Sequence, residues 1–197
     1  MEGADTRTFE YIGSVYFKDK SHGYYLADRI TDDAEHFELY DEFARDSTKV
    51  YFGGSVFSDD GLNFHRIGDS SSRYYKDRTR CWYSIYPIVE ADPATIRYLG
   101  KDYAKDAEEV FYQMNAIEFA DPGSFKLLQN EFSCDVGSVF LQSLRIEEAD
   151  PVSFRVLDDR NAIDRAHCFY NGQILAEANL ATFRLIDEFY SSDAKHV

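Results

Sequence analysis

The chain has 197 residues, of which 44% are hydrophobic and 29% charged, an ordinary globular composition. Its 21 Lys and Arg stand against 36 Asp and Glu, a formal charge of −15, so it repels a phosphate backbone and offers no basic patch for nucleic acid. No window approaches 18 consecutive apolar residues, which excludes a helical membrane span. The three cysteines (Cys81, Cys134, Cys168) form no CxxC, which excludes a disulfide scaffold.

In chain order the first element is a turn, Asp5-x-x-x-Phe9. An aromatic, Tyr16, follows, then Asp19 with polar neighbours, then Tyr24-Tyr25 and Ile30. β-prone residues on either side of Asp-polar-polar predict a hairpin whose aspartate closes the turn. At Asp33-x-x-x-Phe37 the same order begins again. The anchor aspartates are Asp19, Asp46, Asp77, Asp106, Asp135, Asp164 and Asp193, spaced by 27, 31, 29, 29, 29 and 29 residues. Five positions after the first six stand Tyr24, Tyr51, Trp82, Phe111, Phe140 and Phe169. Eleven positions after them stand Ile30, Phe57, Ile88, Ile117, Ile146 and Leu175, and further on Phe37, Phe64, Ile96, Phe125, Phe154 and Phe183. Columns in register over a whole chain are the signature of tandem repeats.

The Asp-x-x-x-Phe mark recurs at Asp60, Asp121 and Asp150, with Asp92–Ile96 and Asn179–Phe183 as variants. Pro93, Pro122 and Pro151 follow their aspartates directly, an N-cap followed by a residue preset for the first helical position. This predicts a short helical turn that carries the Phe inward. Asn171-Gly172 and Gly53-Gly54 mark a second turn. Each unit of about 29 residues is thus expected to hold a short helix and two or three short strands. Three or four large side chains do not offset the entropy of ordering so many residues, so neighbouring units must complete the core. The expected fold is mainly β with short helical turns: one solenoid-like array over 1–197, about six full units with partial units at both ends.

These columns resemble the DKNYY family of bacterial repeat proteins. The resemblance rests on Tyr103-Ala104-Lys105-Asp106, Val110-Phe111-Tyr112, Ile117 and Ala120-Asp121-Pro122-Gly123-Ser124-Phe125, and on Phe17-Lys18-Asp19 with Tyr24-Tyr25 and Tyr75-Lys76-Asp77 with Trp82-Tyr83. Departures are Cys134 and Ile163 in the Lys column, Leu141 in the aromatic pair and Asn179 for Asp. The resemblance implies a bacterial source and a repeat fold, with no activity and no cofactor. Some members of the family look like immunity proteins beside toxin genes.

The paired acids Asp32–Asp33, Asp59–Asp60, Glu147–Glu148 and Asp158–Asp159 recur about once per unit, which fits caps and solvated turns better than acid–base catalysis. The anchor aspartates read as turn formers. His22, His36, His65, His167 and His196 share no zinc-typical spacing, and HExxH, GxSxG and a Gly-rich phosphate loop are absent. Cys81 and Cys168 share one column and read as small buried hydrophobes. Periodic aromatics read as core. One column stands out: Asp32, Asp59, Glu90, Glu148 and Glu177 lie thirteen after their anchors, with Glu118 one place early. Backed by Glu147, Asp158 and Asp159, it is either a solvated edge or an electrostatic face that steers a basic partner.

The expectation is a non-enzymatic, cofactor-free protein that binds a protein partner, in its most specific form an immunity protein neutralising a basic toxin. The alternative is a scaffold fragment of a longer envelope or surface protein, since the sequence opens mid-unit and stops before an aromatic pair. Met1 to Asp5 carry no signal-peptide pattern. The compartment stays open, with the cytoplasm slightly favoured.

Overall fold

The structure, a computed structural model, describes residues 3–187 and 190–196. Val197, read above as the lead-in to a further aromatic pair, lies outside the described residues. Two compact bodies are present: residues 1–66 with 75–79, and residues 67–74 with 80–197.

Both bodies are built from short antiparallel strands of two to four residues, in small open sheets whose strands follow chain order. In the first body, Glu10–Gly13, Tyr16–Lys18, Gly23–Tyr25 and Asp28–Thr31 form one four-stranded sheet, and Glu38–Tyr40 to Ser55–Ser58 another. In the second body the same meander is made by Arg97–Gly100, Tyr103–Lys105, Val110–Tyr112 and Asn115–Ala116. It recurs from Lys126–Leu127 to Leu144–Arg145 and from Arg155–Val156 to Gln173–Ile174.

Two expectations need correction. No helix occurs among the described residues. Asp60, Asp92 and Asp121 each close a single turn, their carbonyls accepting from the N–H of Phe64, Ile96 and Phe125 at 3.0 Å. The next residues are already extended: Lys126–Leu127 begins directly after Phe125. One turn costs a nucleus and gains no propagation, so the cap-and-proline signal marks a turn, not a helix. The second correction is four strands per unit in place of two or three. The outer strands carry Lys126, Asn115 or Gln173 and are half exposed, so their composition gives no β signal.

The anchor does close the hairpin: Asp106 N–H donates to the carbonyl of Glu109, and Asp135 N–H to that of Ser138, both at 3.0 Å. Strands on either side of it are buried on both faces. Ala104 pairs with Phe111 across the sheet, and both join Ile88, Ile96 and Tyr83 of the preceding unit in one cluster. On the opposite face Tyr103 and Val110 join Ile117, Phe125 and, from the following unit, Phe140. A strand buried on both faces reads as a continuous apolar run instead of an alternation, which is why the aromatics come in adjacent pairs. Tyrosine hydroxyls add cross-unit bonds: Tyr74 Oη donates to the carbonyl of Asp102 at 2.6 Å, and Tyr103 Oη to that of Glu131 at 2.7 Å.

Candidate functional site

The acidic residues separate into those that hold the fold and those that do not. Each anchor carboxylate sits under its own turn. Asp135 Oδ1 accepts from the N–H groups of Gly137 and Ser138, both at 2.7 Å, while Oδ2 accepts from the N–H of Asp121, fourteen residues earlier, at 2.8 Å. Asp19, Asp106, Asp164 and Asp193 repeat this with Asp5, Asp92, Asp150 and Asn179. The second aspartate of each unit returns the link: Ser124 Oγ, bonded to Asp121, accepts from the N–H of Val136 at 3.2 Å. In the two units of the first body whose spacing differs, a hydroxyl replaces the backbone donor. Thr31 Oγ1 donates to Asp46 at 2.6 Å and Ser58 Oγ donates to Asp77 at 2.7 Å. The turn-forming role expected of these aspartates is what the geometry shows.

This wiring sets an acid response. Burial opposes ionisation of Asp19, but the N–H groups of Asp5 and Ser21, the Tyr24 hydroxyl and the N–H of His22 outweigh it and hold the carboxyl well below the usual range. Asp33, bonded chiefly by the Ser47 hydroxyl against some burial and helped by His36, is held at about 2. A depressed native pKa means that the unfolded chain, with Asp near ~3.9, binds more protons. The stability these groups contribute is therefore complete above pH ~4 and drains away as pH falls towards 2. Thermal melts by circular dichroism should show a Tm falling steadily from pH 4 to pH 2. A Tm unchanged across that window would contradict the assignment.

Of the acidic edge, Asp32, Asp59, Glu90, Glu118, Glu147, Glu148, Asp159 and Glu177 are exposed. Asp158 is half-buried and spent on a turn: Oδ1 accepts from the N–H groups of Arg160 and Asn161 at 2.7 and 2.6 Å, and the Asn161 amide donates to Oδ2 at 2.9 Å. Asp32 accepts from Arg29 Nε at 2.6 Å. Glu148 and Glu177 lie 4.0 and 3.8 Å from His167 Nε2 and His196 Nε2. Those rings also face the anchors Asp164 and Asp193, at 3.5 and 3.1 Å, so these histidines occupy one repeat column. Glu118 and Glu147 differ from these. They line one groove of ≈ 820 Å³ in the second body and meet no cation among the described residues.

The groove runs across the outer strands Asn115–Ala116, Leu144–Arg145 and Gln173–Ile174 of three successive sheets. Its floor includes Leu141 and the buried Ile146, and Phe119 and Leu144 stand on it 76% and 72% exposed. Phe119, not Glu118, holds the column position thirteen after its anchor, as Glu148 does in the next unit. Both adopt left-handed backbone, at φ 65° and 60°. Reading that column for carboxylates alone passes over Phe119, although an aromatic in place of an acid is the signal that finds it.

Cys81, Cys134 and Cys168 are buried and in no disulfide, as the small-hydrophobe reading of Cys81 and Cys168 expects. Burial pushes the thiols of Cys134 and Cys168 up, which keeps them protonated and poorly nucleophilic. Among the described residues no three His, Cys, Asp or Glu side chains converge in a way that would hold a metal ion.

With this geometry in hand, comparison with known families is decisive: the model of the DKNYY family matches residues 29–144 and again 87–197. The chain belongs to the DKNYY family. No curated protein and no solved structure compared with it gave a match. The basic residue preceding the anchor in a DKNYY unit has a visible task here. Lys18 Nζ donates to the carbonyl of Phe37 at 3.3 Å, Arg45 Nη1 to that of Phe64 at 3.1 Å, and Lys105 Nζ to that of Pro122. Each reaches the Asp-x-x-x-Phe turn that follows. Cys134 and Ile163, which replace this residue in two units, cannot donate such a bond from a charged side chain.

Proposed function

We propose that this DKNYY protein is a non-enzymatic binding protein. Its units stack within each body in solenoid fashion, and its acidic surface grips one basic protein partner. The most specific form of the reading is a bacterial immunity protein that neutralises a cognate toxin by covering it with carboxylates. The observation that carries it is the division of labour among the acids. The anchor carboxylates are consumed by backbone donors, whereas eight of the nine edge residues face solvent. On a chain of charge −15, such a face accelerates encounter with a cationic partner. The hydroxyls of Thr31 and Ser58 are engaged with the anchors Asp46 and Asp77, and those of Tyr74 and Tyr103 in cross-unit bonds.

The test is co-expression with the products of the adjacent genes, scored by rescue of growth and by purification of a complex. The expected complex weakens steeply as salt rises. A complex indifferent to salt, or none with any neighbouring product, would overturn the reading.

A further inference from the structure

The groove of the second body brings two kinds of feature together on one concavity. Glu118 and Glu147 lie on it without a cation partner, and Phe119 and Leu144, both large and apolar, stand open to solvent beside them. Large exposed apolar side chains grouped on one concavity mark interaction surfaces, and aromatics set in a desolvated centre supply most of the energy of protein–protein contacts. Phe119 is also costly to keep. A bulky residue in left-handed backbone is strained, and the matching position of the next unit is met by a polar residue, Glu148. Arg145, the one cation on the lining among the described residues, lies 5.9 Å from the centre of the Phe119 ring. Among the described residues it forms no ion pair with Glu118 or Glu147.

The shape selects an extended ligand. Three outer strands, each hydrogen-bonded to its sheet on one side, cross the groove. A chain laid over them presents alternate side chains to the floor and to the rim. Charge selects its composition, because a net −15 surface repels an acidic segment and attracts a basic one. We propose that this groove docks an extended basic segment of a protein partner. One apolar side chain lodges between Phe119 and Leu144, and lysines or arginines face Glu118 and Glu147. The inference rests on the reading of the protein as a binder of basic proteins, and deepens it by naming the place and the pattern recognised.

The probe is a fluorescein-labelled octapeptide alternating lysine with leucine and carrying a central phenylalanine, titrated by anisotropy against the intact protein. The double variant Phe119→Ser/Leu144→Ser should weaken binding by ~10-fold or more, as loss of a central anchor does, and Glu118→Gln/Glu147→Gln should weaken it comparably. Asp28→Asn/Glu35→Gln removes the same charge at exposed acids of the first body that lie outside the edge and should change affinity no more than ~2-fold, as expected of exposed charges outside the groove. A peptide with glutamate for lysine should not bind. All altered side chains are exposed, so melting curves should match the wild type and separate folding from binding. Equal weakening by both acid pairs would overturn the groove while leaving the acidic-surface reading standing. Binding of the glutamate peptide, or none of the lysine peptide, would overturn the groove outright. Failure of the salt-dependent complex with a neighbouring gene product would instead remove the reading beneath it.

Discussion

Asp135→Ala should lower stability by about 3–5 kcal/mol, read as a shift of the urea midpoint because repeat proteins depart from two-state unfolding. Three backbone donors, the N–H groups of Gly137, Ser138 and Asp121, lose their acceptor at once. Each buried donor left unsatisfied costs ~1–3 kcal/mol, and water reaching the turn returns part of it. Asp135→Asn separates the contributions. Its one carbonyl oxygen can keep the two donors of the turn, but its NH2 group then faces the N–H of Asp121, so an intermediate loss is expected. Glu147→Gln, at an exposed site on the groove, should stay within about ±0.5 kcal/mol. A loss below about 1 kcal/mol for Asp135→Ala would mean that the anchor carboxylates do not hold the units together. They would then be free to be counted with the acidic face.

The second large effect is expected for Phe140→Ala, at about 3–5 kcal/mol, the usual cost of truncating a buried aromatic. The side chain belongs to the strand Val139–Leu141, yet it packs with Tyr103, Val110, Ile117 and Phe125 of the preceding unit, 6.0 Å from Phe125 between ring centres. The cavity therefore opens between units. Hydrogen exchange should lose protection at Val110–Tyr112 as well as at Val139–Leu141. Loss confined to residues 132–146 would show each unit to be self-sufficient, contrary to the shared cores. Truncating Val136, which is 76% exposed, should have no measurable effect.

The legible part of this fold follows from its equivalence between copies. When each unit meets the same surroundings, a position that must be buried or must turn is constrained in every copy. The anchor aspartates, the Tyr24-to-Phe169 aromatics and the cysteine column could be assigned correctly on that ground. The short helix was the wrong inference at Asp92-Pro93 and Asp121-Pro122, because a cap and a proline license a first turn without supplying a second. Outer strands such as Asn115–Ala116 went unseen because their residues have no preference for extended structure and gain it only by pairing with Phe111 and Tyr112.

The acidic edge divides along the same line. Its exposure was predictable for Glu90, Glu118 or Glu177, whose charge forbids unpaired burial. That Asp158 would be absorbed by Asn161, that Glu148 and Glu177 would stand beside histidines, and that Glu118 and Glu147 would share a groove with Phe119 was not. The amino-acid order alone determined the period, the anchor and the paired apolar faces, since these are repeated local constraints written once per copy. Only the tertiary structure decided which carboxylates are consumed and which are left exposed to solvent. That depends on donors such as the N–H of Asp121, fourteen residues from Asp135, whose approach is fixed by how one sheet settles against the next.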